Sequence, residues 1–165
     1  MKQMSIKLLL TGGTIDKSYN ESNGELNFTE THIPEILQQG RNRSDISIEE
    51  VMLKDSLQMD DADRQKILEA CRKTSEDKII ISHGTDTMVE TAKLLGKQKL
   101  EKTIVFVGAM VPFVFKHSDA MFNMGFALAA VQTLPGGVYV AMNGQVFDGD
   151  KVVKNLDLGV FVPRK

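Results

Sequence analysis

Five short, mostly apolar segments set the limits on this fold: Ser5–Thr11, Ile46–Lys54, Lys78–Ser82, Thr103–Val107 and Val138–Met142. The first is nearly all apolar at its centre (Leu8, Leu9, Leu10), which marks a strand covered on both faces. Helical signals separate the strands. Asp60–Thr74 has Asp60, Asp61 and Asp63 at its start and Arg72 and Lys73 at its end, as the helix dipole prefers. Thr87–Lys97 repeats apolar residues at helical spacing, and Thr87 with Glu90 fits the S/T-x-x-E capping box. Ser118 or Asp119 opens a helix to about Leu134, and Thr31 caps a short one with Pro34 in its first turn and Gly40 at its end.

Strand–helix alternation of this kind predicts right-handed βαβ units and a mainly parallel sheet flanked by helices, a flavodoxin- or Rossmann-like three-layer α/β sandwich. Antiparallel hairpins are expected at Asn23-Gly24 and at Asp148-Gly149, the latter joining Gln145–Phe147 to Lys151–Lys154. No repeat, low-complexity tract or linker interrupts residues 1–165, which read as a single domain. With 165 residues, 42% of them hydrophobic, the chain suits one compact core.

Several function classes drop out. A formal net charge of -2 leaves no basic excess to neutralise a phosphate backbone, so nucleic acid is not an expected partner. No apolar segment is long enough to cross a bilayer. Ile6–Leu10 is too short for a signal-peptide core and no small-residue cleavage site follows it, so the expected location is cytoplasmic. The sole cysteine, Cys71, cannot form an internal disulfide and reads as a buried small hydrophobe beside Ile67, Leu68 and Ala70. His32, His83 and His117 lack metal-ligand spacing, and no phosphate-loop, G-x-G-x-x-G or G-x-S-x-G pattern is present. No cofactor and no metal are expected.

In open parallel sheets ligands bind beyond the carboxyl ends of the strands. Thr14, Ser56, Thr85-Asp86 and the Gly108–Pro112 loop all fall at such ends. Gly12-Gly13 can turn the chain sharply and leave amides facing outward, where they would stabilise charge on a group attacked by the Thr14 hydroxyl. Those residues alone favour a plain strand and turn. Thr85 and Asp86 are surplus polar residues once Thr87 and Glu90 have capped the next helix, which tilts them toward function. His83 reads as a core histidine bonded to backbone. In isolation Lys154 is a solvated edge charge; paired with Asp86 it is a candidate to take a threonine proton. Tyr19, on the polar Asp16–Asn27 segment that reads as a mobile lid, is the other candidate base. For Val111, Phe113, Val114 and Phe115, core burial is favoured over a contact surface.

Taken together, Thr11-Gly12-Gly13-Thr14-Ile15, His83-Gly84-Thr85-Asp86-Thr87-Met88 and Met142-Asn143…Asp148-Gly149…Lys154 resemble the signature segments of bacterial-type L-asparaginases, in the family's order. Val107-Gly108-Ala109-Met110 with Pro112, then Ser118-Asp119 and Asn123, resembles a fourth segment, and Asp55–Met59 a fifth. The resemblance implies the fold of the family's amino-terminal domain and a cofactor-free hydrolase of a small amino-acid amide. It makes Thr14 the primary nucleophile and Tyr19 a shifted counterpart of the lid tyrosine. Thr85, Lys154 and Asp86 match the family's second catalytic group, and Ser56 a holder of the substrate's α-carboxylate. Substrate contacts are implied at Gly13, Asp55, Ser56, Gly84, Thr85, Asp86, Ala109 and Met110, with amides of the two threonine loops holding the oxyanion.

The family's usual subunit continues into a second, smaller domain, whereas this chain reads as the amino-terminal domain alone; a homo-oligomer, dimer or tetramer, is implied. Leu57 and Gln58 replace a polar residue and an acid of the family pattern, which weakens the grip on the substrate's α-groups. The alternatives are an amino-acid-binding or sensing domain without useful turnover, and an ammonia-generating subunit of a larger complex.

Overall fold

The computed structural model describes residues 4–165. In chain order the elements are β1 (Ser5–Gly12), the short pair β2 (Ser18–Tyr19) and β3 (Leu26–Asn27), α1 (Ile33–Gln39), β4 (Asp45–Lys54), α2 (Asp61–Lys73), β5 (Lys78–Ser82), α3 (Met88–Gly96), β6 (Thr103–Val107), α4 (Ala120–Thr133), β7 (Gly137–Met142), β8 (Gln145–Asp148), β9 (Val152–Asn155) and β10 (Val160–Pro163). The main sheet runs β4-β1-β5-β6-β7-β8, parallel except for β8, which is antiparallel to β7. In register, Leu8 of β1 faces Ile48 on one side and Ile80 on the other. Leu8, Leu9 and Leu10 are all buried although successive side chains point to opposite faces, so both faces of the sheet are covered.

The helices sort into two packed pairs, α2 with α3 and α1 with α4, the second pair lining a shared groove through Ile36, Leu37, Met121 and Met124. Because both sheet faces are covered, the pairs lie on opposite sides. α3 and α4 each connect adjacent parallel strands that step the same way across the sheet, yet they cover opposite faces. Those two crossovers therefore have opposite hands. α1 steps the other way on α4's face, which gives it the hand of α2 and α3; α4 is the exception to the expected uniform right-handedness. Its crossover begins with the long segment between Val107 and Ala120, which passes over the carboxyl end of the sheet.

Four local expectations are corrected. Asp148-Gly149 joins no hairpin: β8 returns along β7 through Asn143-Gly144, whose positive φ values of 56° and 71° suit a two-residue hairpin turn. Lys154 lies on β9, which pairs with β10 in a separate two-stranded sheet, Lys154 opposite Phe161. The Thr87–Glu90 capping box does not form, because tertiary partners outcompete the local one. Thr87 Oγ1 donates to Ser56 O (2.9 Å), and Glu90 accepts from Arg64 Nη2 (3.1 Å). The apolar loop is only half in the core: Phe113 packs against it, while Val114 and Phe115 are exposed.

The reading of Cys71 as a buried small hydrophobe holds. Cys71 is fully buried and burial pushes its thiol up to about 12. Among the described residues no helix is long and apolar enough to cross a membrane, and no cluster of three or more His, Cys, Asp or Glu could hold a metal ion.

Candidate active site

Glycines let four strand-end loops touch. Gly13 sits at φ 83°, ψ 175°, a region open essentially to glycine alone, and a Cβ there would run into the backbone N and Cα of Gly84. A Cβ on Gly84 would lie 2.5 Å from Ser56 Oγ, and one on Gly108 would lie 2.5 Å from His83 O and 3.3 Å from Thr85 Cγ2. The loops after β1, β4, β5 and β6 are thus packed backbone to backbone. β1 and β5 are neighbours whose connections leave in opposite directions, so the meeting point is the topological switch of the sheet.

Thr14 opens a single 3-10 turn, Thr14–Asp16, closed by Asp16 N donating to Gly13 O and Lys17 N to Thr14 O, both 3.1 Å. Ile15 anchors the turn in the core, leaving Thr14 half-buried. The Gly13 amide is committed to Lys54 O (3.0 Å), so of the amides expected to hold an oxyanion it is not on offer. The amides of Thr14 and Thr85 donate to no acceptor among the described residues and remain available.

On the facing loop, Lys154 Nζ donates to Thr85 Oγ1 (2.8 Å) and to Asp86 Oδ1 (2.7 Å). Thr85 is 5% exposed, and the side chains of Lys154 and Asp86 are 14% and 41% exposed. The ammonium is therefore held against a buried hydroxyl while its carboxylate partner sits at the rim. A groove of about 400 Å³ opens there, lined by Asp86, Glu90, Val153, Lys154, Leu156 and Arg164.

The other predicted positions divide. Ser56 is buried against Gly84 and Thr87, its Oγ accepting from Thr87 N (3.3 Å). Asp55 is engaged by the protein: it accepts from Leu57 N (3.0 Å) and pairs with Lys17 Nζ (2.6 Å), which holds its carboxyl below the usual range. Ala109 is fully buried, and the Met110 amide is taken up by Asp119, 3.0 Å from each carboxylate oxygen. Tyr19 stands apart. Its side chain makes no hydrogen bond to Thr14, Thr85 or Lys154, its ring leans on Phe115 at 6.2 Å between centroids, and it is 53% exposed. His83 is buried, donating and accepting between Gly84 O (2.9 Å) and Thr91 Oγ1 (2.8 Å), and burial lowers its pKa to about 4. It is a neutral structural residue, as expected.

The organising residues were not fully read from sequence. Asn123 donates to Gly108 O (3.0 Å) and Asp119 Oδ2 (2.8 Å) and accepts from Asn143 N (3.3 Å); Asn143 Oδ1 accepts from Phe161 N (2.8 Å). This chain of amides fastens the β9–β10 hairpin, and with it Lys154, to the β6 loop. The i, i+4 spacing of Asp119 and Asn123 was the available signal; the partners across the sheet had none.

The fold and site define a doubly wound α/β protein with threonine hydroxyls and a lysine–aspartate pair at the switch point of its sheet. Residues 5–158 match the family described as Asparaginase, N-terminal, and the chain belongs to the asparaginase family. It is 35% identical over 162 residues to the probable periplasmic L-asparaginase of Haemophilus influenzae and 34% identical over 163 residues to L-asparaginase 2 of Escherichia coli K12, in each case covering 91% of this chain and 46% of the relative. The thermostable L-asparaginase from Thermococcus kodakarensis superposes with a TM-score of 0.85 at 30% identity, covering 97% of this chain and 51% of that one. The chain spans about half the length of the curated relatives it matches.

Proposed function

We propose that this chain hydrolyses the side-chain amide of asparagine, or of a closely related small amide such as glutamine, to the acid and ammonia. The observation that carries the reading is the Lys154 ammonium bound to Thr85 and Asp86 in a loop whose backbone touches the loop of Thr14. Thr14 Oγ attacks the amide carbon, the C–N bond breaks, and the proton lost by Thr14 leaves with ammonia. The ester so formed is cleaved by a water deprotonated near Thr85 and Lys154, and the proton returns to Thr14. The Thr14 and Thr85 amides receive the developing oxyanion, the step with the largest electrostatic gain. Ser56 and the backbone of Gly84, Ala109 and Met110 shape the pocket; Tyr19 joins only when the lid brings it in.

Three further parts belong to the same reading. Residues 1–165 act as one domain, supported by one continuous core shared by all four helices and the main sheet. Two or more copies associate, supported by exposed Val114, Phe115 and Phe122. A cytoplasmic location fits the free, buried Cys71. The test is ammonia release from asparagine by the wild type and by Thr14→Ala: catalysis lost with the hydroxyl supports the reading. Spontaneous rates in both, with aspartate still raising the melting temperature, would instead make the chain an amino-acid-binding domain.

A further inference from the structure

We propose that Asp16 is a positioning residue for Thr14: its carboxylate clamps the neck of the β2–β3 hairpin to the start of α1 and so fixes the turn from which the Thr14 hydroxyl acts. The inference rests on the proposed function and adds a residue that has no part in the expected chemistry. Asp16 is fully buried, and its oxygens collect donors from the far side of the lid: the Thr31 hydroxyl (3.0 and 3.1 Å) and the His32 amide (2.8 Å). Burial and Glu50 raise its pKa, while the bonds from His32 and Thr31 and the nearby imidazole oppose the rise. Its own amide, donating to Gly13 O, closes the turn that carries Thr14. One residue therefore holds the turn with its main chain and the opposite foot of the lid with its side chain.

Its neighbours do the same. Lys17 reaches Asp55 beside Ser56, and Ser18 Oγ bonds His32 Nε2 (2.8 Å) and Thr29 Oγ1 (3.1 Å). Past Ser18 the pattern stops: the side-chain bonds of Asn20, Asn23 and Glu25 stay within the hairpin tip. The neck is locked on three consecutive residues and the tip is not. Tyr19, just beyond the lock, can move without carrying Thr14 along.

The test compares Asp16→Ala and Asp16→Asn with the wild type, measuring kcat and KM for asparagine, the melting temperature, and hydrogen exchange at the amides of residues 15–17. Misplacing a nucleophile by a fraction of an ångström predicts a kcat loss of about tenfold or more in Asp16→Ala, with KM changed by less than about threefold. Asp16→Asn, whose amide oxygen still accepts from His32 N, should recover much of that loss. A melting temperature that falls while kcat stays within about twofold of the wild type would make Asp16 merely structural and overturn the proposal. Should the wild type release no ammonia, the functional reading fails separately; exchange at residues 15–17 then decides the clamp, accelerated about tenfold in Asp16→Ala if it exists and unchanged if it does not.

Discussion

Gly13→Ala inserts one methyl group between two loops whose contact the whole site depends on. Two costs follow from the geometry. The backbone at φ 83°, ψ 175° is nearly closed to alanine, worth about 1–3 kcal/mol. The new Cβ also meets the main chain of Gly84, which cannot rotate away as a side chain would, and such overpacking costs about 1–3 kcal/mol more. The sum, about 2–6 kcal/mol, is a large part of the roughly 5–15 kcal/mol that holds a domain together. For a chain of this size it should lower the melting temperature by roughly 5–20 °C. Part of the clash can be relieved by pushing the loops apart, so the surviving folded fraction should have lost catalysis about a hundredfold. Calorimetry and ammonia release on the same sample measure both. A variant that melts within about 2 °C of the wild type and keeps its activity would refute the backbone contact between the Thr14 and Thr85 loops.

Lys154→Met removes the ammonium but keeps the aliphatic stem. Ammonia release should fall by about 10²–10⁴-fold, while stability falls by only about 1–2 kcal/mol, because Asp86 is well exposed and the pair with it counts for little; comparable losses in both would make Lys154 a structural strut. Neutral His83 gives a pH dependence. Its pKa falls from 6.5 in the unfolded chain to about 4 in the fold, so the unfolded state takes up a proton that the folded state refuses. His83 thus contributes stability that is fully present above about 6.5 and is lost as pH falls toward 4; urea unfolding at stepped pH should show that loss in the wild type and not in His83→Gln.

The layered α/β architecture was legible because buried parallel strands leave a strong mark: runs such as Lys78–Ser82 and Thr103–Val107 match the observed strands to the residue. Local signals failed where a tertiary partner was stronger. Thr87 had a helix to cap and bonded Ser56 instead, and Asp148-Gly149 lost its hairpin to Asn143-Gly144. The hand of the α4 crossover was out of reach, since sequence patterning carries no record of which face a helix covers. At the site, spacing placed Thr14, Ser56 and Thr85 at strand ends, whereas Lys154 and Thr85, 69 residues apart, were joined only by the family resemblance and by no local signal. The Asp16 clamp went unread for the same reason. A lone acid after a turn looks like any solvated acid until its burial is known.

The claim that Thr14 forms a covalent ester is tested most directly by mixing the protein with asparagine, quenching in acid within the first turnovers, and weighing the intact chain. An added mass of one aspartyl group, mapped to the peptide that carries Thr14 and missing from Thr14→Ala, is the predicted result. Ammonia release that continues undiminished in Thr14→Ala, or an adduct mapped to another residue, would contradict the account.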